Sequence, residues 1–198
     1  DCQSDIHFPQ TEIRVHEGNT SFANQGKQAN RKQVGQLYRG STMITARRFE
    51  PADAEAVSVL ITRTLRTTNI RDYGAEYIEN HCTLFTPEKV LVRAGWSHFY
   101  VFCDGNQIVA CGGVAPYEGR LDECFLLTIF VLPEYQGRGI GRKIIETLEA
   151  DEYALRSKRI DLPASITGRD FYLKFGYAYK GGIKDLYPDR CYRLEKFL

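Results

Sequence analysis

"VLPEYQGRGIGRKIIETLEA", residues 131–150, joins an apolar run to an amphipathic pattern through three glycines. The run that leads into it, CFLLTIFV (residues 124–131), is rich in β-branched and aromatic residues and predicts a buried strand. Beyond the glycines, isoleucine and leucine recur at helical spacing with charged residues between them, which predicts an amphipathic helix. We therefore predict a strand, a glycine loop and a helix in direct succession.

The loop has the properties of an anion site. The first amides of a helix lack intrahelical partners and lie at the positive end of its dipole. Glycines let a phosphate approach the backbone closely, and Arg138, Arg142 and Lys143 add positive charge. The spacing is neither that of the nucleoside-triphosphate loop nor that of the dinucleotide loop. The residues thus predict a phosphate-bearing ligand of another kind.

The segment QGRGIG (residues 136–141) resembles the Q/R-x-x-G-x-G/A loop of the GNAT superfamily of acyl-coenzyme A dependent N-acetyltransferases. The resemblance implies that the loop binds the pyrophosphate of coenzyme A. The alternative is a glycine-rich turn that only joins the strand to the helix. The residues expected to hold the cofactor here are Gln136, Gly137, Arg138, Gly139, Ile140, Gly141 and Arg142.

The resemblance also implies a splayed pair of strands. In this family the fourth and fifth strands separate, and the free main chain binds the pantetheine arm as an added strand. The expected contacts in this sequence are Ile129, Phe130 and Val131. Many members carry an Asn that binds the pantetheine just after the fifth strand; Ser165 stands there, either to make one such bond or as a plain loop residue.

A second family feature places a candidate general acid. SITGRDFYLKFGY (residues 165–177) resembles the A-x-x-F-Y-x-x-x-G-F pattern and puts Tyr172 where the family's general acid often stands. The departing thiolate has a conjugate acid with a pKa of about 8.5, and a phenol with a pKa of about 10 can reprotonate it. The alternative is that Tyr172 only packs.

The general base is predicted less directly. An alkylammonium has a pKa of about 10.4, so a carboxylate or a water chain must take a proton from the acceptor. Family bases often lie on the fourth strand, where this chain offers Asp122 and Glu123. Glu123 shares side-chain parity with Phe125, Leu127 and Ile129. A solvated acid at the strand entrance is the alternative.

Composition excludes several classes of protein. The chain has 198 residues and a formal net charge of +1, which fits one domain and argues against a general polyanion or nucleic-acid binder. Its six cysteines have no metal-ligand spacing, so we expect reduced thiols and no bound metal. No stretch is apolar for long enough to span a bilayer, so we expect a cytoplasmic protein. We expect a monomer or a homodimer.

The order of elements supports a GNAT-type α/β (α+β) fold: a mixed, mostly antiparallel sheet flanked by helices. Residues 1–42 show no sustained period and predict a disordered extension or a non-native leader; residues 43–198 form the acetyltransferase domain. We predict a strand at residues 43–49, a helix at 52–65, a helical region at 71–82 and a helix capped by Thr86 that ends at Gly95. The other predicted strands lie near residues 97–103, 107–115, 124–131, 158–163 and 191–197, with a short helix at 167–175.

These expectations together predict transfer of an acetyl group from acetyl-coenzyme A to a primary amine of a small molecule, by direct attack in a ternary complex. One alternative is acetylation of a protein N-terminus or lysine. Another is a non-catalytic acyl-coenzyme A binding or regulatory domain.

Overall fold

A seven-stranded sheet in the order β1-β2-β3-β4-β5-β7-β6 organises the protein. The structure, a computed structural model, describes residues 43–198, so the expectation for residues 1–42 lies outside it. The strands are β1 (Thr45–Arg48), β2 (His98–Asp104), β3 (Gln107–Pro116), β4 (Glu123–Val131), β5 (Arg159–Ser165), β6 (Ala178–Tyr179) and β7 (Cys191–Phe197). The helices are α1 (Ala54–Thr64), α2 (Ile70–Tyr73), α3 (Ala75–Cys82), α4 (Pro87–Trp96), α5 (Ile140–Glu149), α6 (Glu152–Leu155) and α7 (Arg169–Leu173).

The topology confirms the predicted fold class. Only β4 and β5 run parallel, and every other neighbouring pair is antiparallel. The parallel pair needs a crossover connection, which α5 and α6 supply. The strands and helices follow one another as the sequence predicted, except for the short helix α6, which was not predicted.

Both faces of the sheet are tightly packed, as two adjacent glycines of β3 show. A Cβ on Gly112 would lie 2.9 Å from the Ile144 side chain of α5, whereas a Cβ on Gly113 would lie 2.9 Å from Phe99 on the other face. The apolar stripe of α5 is fully buried there, since Ile144 and Leu148 are 0% exposed. These contacts fix α5, and with it the preceding glycine loop, against the middle of the sheet.

A bulge in β4 changes which side chains share a face. Cys111 pairs with Phe130 while Gly113 pairs with Leu127, so β4 has one more residue than β3 in this interval. Thr128 absorbs it in a left-handed conformation (φ 53°), which is uncommon for a β-branched residue. The expected common face for Glu123 and Ile129 is therefore wrong. Leu127 lies beside Gly113, and Ile129 lies beside Gly112 on the opposite face.

Two helix ends differ slightly from the prediction. Thr86 caps α4 as expected, because its hydroxyl accepts from the Lys89 amide at 3.4 Å. The helix does not end at Gly95, however, but at Trp96, whose ring stacks on Phe125 of β4 at 6.1 Å. The helix predicted at residues 52–65 continues through a π-helical segment, Leu65–Asn69, directly into α2.

Within residues 43–198, no helix is long and apolar enough to span a bilayer. The same part of the chain contains no cluster of three or more His, Cys, Asp or Glu placed to hold a metal ion. Its five cysteines are free thiols.

Candidate active site

β4 and β5 separate after a short paired stretch. They pair only from Glu123↔Arg159 to Phe125↔Asp161, whereas β5 continues beside β7 up to Ser165↔Cys191. The rest of β4 therefore has no strand partner on this side, and a wedge-shaped opening lies between β4 and β5. Main-chain groups at the end of β4 border this opening.

The end of β4 is tied to the glycine loop through Gln136. Its side-chain amide donates to the Val131 carbonyl at 3.0 Å and to the Thr68 hydroxyl at 3.2 Å. The Val131 carbonyl also accepts from the Thr64 hydroxyl at 3.4 Å. Of the three predicted pantetheine contacts, Val131 thus has its carbonyl already engaged, and Gln136 positions the loop through its side chain.

The loop presents a run of unused amides. Gly137 (φ 72°) and Gly139 (φ 81°) adopt left-handed conformations that turn the chain into α5. The first hydrogen bond of the helix is from the Lys143 amide to the Gly139 carbonyl at 3.2 Å. Among the described residues, the amides from Gly137 to Arg142 donate to no backbone carbonyl. Such a group of amides at a helix N-terminus is suited to bind a phosphate.

Positive side chains flank these amides. The Arg138 guanidinium lies over the Tyr135 ring at 5.0 Å, and that of Arg142 lies over Phe175 at 5.1 Å. Lys143 differs from the sequence expectation of a mobile charge, because its ammonium hydrogen-bonds the Ile44 carbonyl. Two arginines, rather than three basic side chains, remain beside the loop.

Gly141 serves packing. A Cβ at this position would lie 2.8 Å from the Phe171 ring of α7, so only glycine lets α5 approach α7 this closely. A helix start and the candidate general acid on α7 are thereby brought to the same end of the sheet.

Ser165 and Tyr172 lie on either side of one tight turn. The Ser165 hydroxyl accepts from the Gly168 amide at 3.0 Å, which caps the turn after β5. A Cβ on Gly168 would meet both the Ser165 hydroxyl (3.1 Å) and the Tyr172 ring (3.2 Å). The structure therefore brings both predicted residues to the end of β5 that borders the opening.

Tyr172 is buried, but its hydroxyl keeps some exposure to solvent. The residue is 8% exposed, and its hydroxyl makes no hydrogen bond within residues 43–198, yet it is not among the fully buried unpaired atoms there. Burial raises the pKa of Tyr172, with a smaller contribution from the nearby Cys191 thiol. Its hydroxyl is thus protonated at neutral pH and free to donate.

Glu123 is not placed at the opening. It lies where β4 and β5 are still paired, six residues before Ile129, or about 20 Å away at the rise of a strand. Arg159 donates to its carboxylate through Nε at 3.1 Å, and Arg120 lies 2.9 Å from it. The hydrogen bonds that Arg159 donates to Glu123 raise the pKa of Arg159, which also pairs with Glu195 at 3.0 Å. Glu123 therefore lies in a structural ion pair away from the opening, which argues against its predicted role as the general base.

Two tyrosines, one at the end of α2 and one in α3, form a wall beside the segment before β7. The Tyr73 hydroxyl accepts from the Ile166 amide at 2.8 Å and donates to the Arg190 carbonyl at 3.0 Å. The Tyr77 hydroxyl donates to the Asp189 carbonyl at 3.0 Å. Trp96 lies apart from this wall and stacks on Phe125 near the paired end of β4.

A cleft of about 450 Å³ lies between this wall and the segment before β7. Arg190 lines one side of it, in a left-handed conformation (φ 58°) with its guanidinium over the Tyr77 ring at 4.9 Å. No local sequence signal marks Arg190, because its partners are more than a hundred residues away in the chain. The cleft is lined by Tyr73, Gly74, Ala75, Glu76, Tyr77, Asn80 and Arg190.

Comparisons with known proteins agree with this geometry. Residues 95–179 match a family model described as "Acetyltransferase (GNAT) domain". This match includes the glycine loop and agrees with the resemblance to the GNAT superfamily inferred from it. A comparison with curated protein sequences finds no match.

Solved structures share the fold at low sequence identity. The PaiA N-acetyltransferase from Thermoplasma acidophilum in complex with coenzyme A has a TM-score of 0.68 at 18% identity, over 79% of this chain and 99% of that one. A GCN5-related N-acetyltransferase from Rhodopseudomonas palustris has a TM-score of 0.66 at 19% identity, over 83% and 100%. An acetyltransferase from Thermus thermophilus has a TM-score of 0.59 at 18% identity, over 78% and 97%.

Proposed function

We propose that the protein transfers an acetyl group from acetyl-coenzyme A to the primary amine of a small molecule. The observation that carries this proposal is the opening between β4 and β5, which leads to the unused amides of residues 137–142. A pantetheine arm can occupy the opening as an added strand while the pyrophosphate accepts from those amides. The PaiA structure contains coenzyme A, which supports an acyl-coenzyme A ligand on this fold.

In this proposal, cofactor binding combines main chain and side chains. Main-chain groups of Ile129 and Phe130 bond the pantetheine, and the remaining lone pair and proton of the Ser165 hydroxyl supplement them. The loop residues Gly137 to Gly141 bind through their amides, and Arg138 and Arg142 screen the phosphate charge.

The chemical step is a direct attack in a ternary complex. The amine forms a bond to the thioester carbonyl carbon, and the carbon–sulfur bond breaks as the tetrahedral intermediate collapses. Tyr172 donates its phenolic proton to the departing thiolate. Its hydroxyl is suited to this role because it is protonated, unpaired among the described residues and beside the end of β5.

The acceptor enters, in this proposal, through the cleft beside Tyr73 and Tyr77. Its volume of about 450 Å³ falls in the range of small-molecule sites and is large enough for a small amine. Acetylation of a protein N-terminus or lysine is the second candidate within the enzymes. A non-catalytic acyl-coenzyme A binding domain is the third.

One assay separates the three. Free-thiol release from acetyl-coenzyme A is followed with a panel of small amines and of peptides, and calorimetry measures coenzyme A binding to the same protein. Thiol release that depends on a small amine supports the proposal, and release only with peptides supports a protein acceptor. Binding without any acceptor-dependent release would make the chain a binding domain.

A further inference from the structure

α3 spans the opening between the two separated strands. Just before α3, Tyr73 at the end of α2 accepts a hydrogen bond from the Ile166 amide, immediately after the end of β5. Beyond its other end, the Phe85 ring lies 5.7 Å from Phe130, near the end of β4. A side chain between these anchors, on the same face of the helix, therefore faces the gap between β4 and β5.

His81 occupies that intermediate position. Its ring stacks on Tyr77 with a centroid distance of 5.6 Å and an angle of 15°, and it meets the edge of Phe85 at 5.4 Å. Tyr73, Tyr77, His81 and Phe85 follow one another every four residues, and the contacts between their successive rings, at 5.1, 5.6 and 5.4 Å, place them in one row. The row begins at β5 and β7 and ends at β4, with the imidazole between.

The His81 imidazole packs against aromatic rings but forms no hydrogen bond with the described residues. Within residues 43–198 its ring nitrogens make no hydrogen bond, and neither is a fully buried unpaired atom, so water reaches them. Burial lowers the pKa of His81, and Arg93 on α4 lowers it further, while Asp189 before β7 opposes this. Tyr77 faces the ring from α3 itself. At neutral pH the ring is therefore uncharged and has a nitrogen lone pair available.

We propose that His81, rather than Glu123, accepts the proton that the acceptor amine must lose, directly or through one water. This inference rests on the proposed function. The acceptor ammonium gives one proton to the imidazole, and its freed lone pair attacks the thioester carbon. The carbon–sulfur bond breaks, and the thiolate takes the phenolic proton of Tyr172. A second proton from the nitrogen restores the Tyr172 phenol, and the imidazolium releases its proton to solvent.

The test is kcat/KM for acetyl transfer against pH in the wild-type protein and in His81→Gln. Because a protonated imidazole cannot accept a second proton, the wild-type kcat/KM should fall as the pH drops below the pKa of His81. The variant should lose about 10²-fold in rate and should lose this low-pH limb. Calorimetry should show unchanged coenzyme A affinity, since His81 lies on the acceptor side.

His98→Gln is the matched control. His98 is the first residue of β2, at the end of the strand away from the β2–β3 turn. It hydrogen-bonds Asp151 at 2.9 Å and stacks on Tyr153, so it packs against α6 rather than α3. It should keep the wild-type rate and pH profile. A His81→Gln protein that retains both the rate and the low-pH limb overturns the inference.

Arg93→Gln tests the same point without removing the imidazole, in case His81→Gln fails to fold. Loss of the positive charge beside the ring raises the pKa of His81, so the low-pH limb should move to higher pH. A limb that stays in place in Arg93→Gln contradicts the role of His81. If the wild-type protein binds coenzyme A but releases no thiol with any amine, the proposed function itself fails, and this inference fails with it.

Discussion

The rings of Tyr73 and Tyr77 stack nearly parallel, with centroids 5.1 Å apart and an angle of 18°. Their hydroxyls donate to two consecutive carbonyls, those of Arg190 and Asp189, respectively. The pair thus fastens the segment before β7 to α2 and α3. Because Tyr73 also bonds the Ile166 amide, one phenol joins the end of β5 to the wall of the cleft.

The two tyrosines should contribute unequally to stability. Tyr73→Phe leaves the Ile166 amide and the Arg190 carbonyl without their partner at a buried position, which should cost about 1–3 kcal/mol of unfolding free energy. Tyr77→Phe removes one bond at an exposed position, so it should cost less than about 1 kcal/mol. Urea unfolding of both variants measures the difference. Equal losses would show that the link to β5 adds nothing.

Gly139→Ala should weaken coenzyme A binding. Gly139 has a φ of 81°, where alanine is strained by about 1–2 kcal/mol, and relief of that strain turns the loop amides away from the phosphate. Gly105→Ala is the matched control, because Gly105 has a φ of 57° and equally open surroundings in the β2–β3 turn. Both variants should lose stability, and only Gly139→Ala should lose affinity in calorimetry. Unchanged affinity in folded Gly139→Ala would remove the loop from the binding site.

Tyr172→Phe should separate catalysis from packing. The substitution removes a hydroxyl that has no partner within the described part of the chain, so the unfolding free energy should change little. The turnover number should fall by about 10² to 10⁴, the usual contribution of a positioned general acid. Because burial raises the pKa of Tyr172, no high-pH limb from this group should appear below its ordinary value of 10.0. A variant with most of the wild-type rate would assign the acid role elsewhere.

Acid should destabilise the start of α1 through Asp53. Arg47 binds its carboxylate with two hydrogen bonds, at 2.6 and 2.8 Å, and this contact lowers the pKa of Asp53. A carboxyl with a lowered folded pKa contributes stability fully above its unfolded value, near 3.8, and loses it as pH falls through the folded value. Asp53→Asn should therefore flatten the unfolding free energy between about pH 5 and 2.

Glu79→Gln is the control for this pH dependence. Glu79 also binds an arginine through two hydrogen bonds, from Arg66 at 2.8 and 2.7 Å. That pair is exposed to solvent and should contribute little. If both variants alter the acid profile equally, burial of Asp53 is not the cause.

Sequence predicted the regular parts of the fold well, because their periodicity is local. CYRLEKF was expected to form the last strand and does so with the same bounds, Cys191–Phe197. The helix after the glycine loop begins at Ile140, where the free amides were expected. The prediction that α4 ends at Gly95 was wrong, because a glycine inside a helix is tolerated when packing favours one more residue. Here that packing is the stacking of Trp96 on Phe125.

The candidate site was predicted less completely, because it depends on contacts distant in sequence. The bulge at Thr128 has no sequence signal, since a β-branched residue rarely adopts a positive φ, and it moved Ile129 to the other face. The extent of pairing between β4 and β5 placed Glu123 at the closed end of the strands. Arg190 was missed because only the fold brings it to Tyr73.

The two borders of the sheet have a consequence for behaviour in concentrated solution. The outermost strands are short: β1 has four residues and β6 has two. β1 also carries two consecutive arginines, Arg47 and Arg48. A long, flat and uncharged edge strand pairs readily with strands of other molecules and so promotes aggregation. Short and charged edge strands discourage this pairing. The short edges of the described domain, one of them positively charged, therefore discourage aggregation by strand addition.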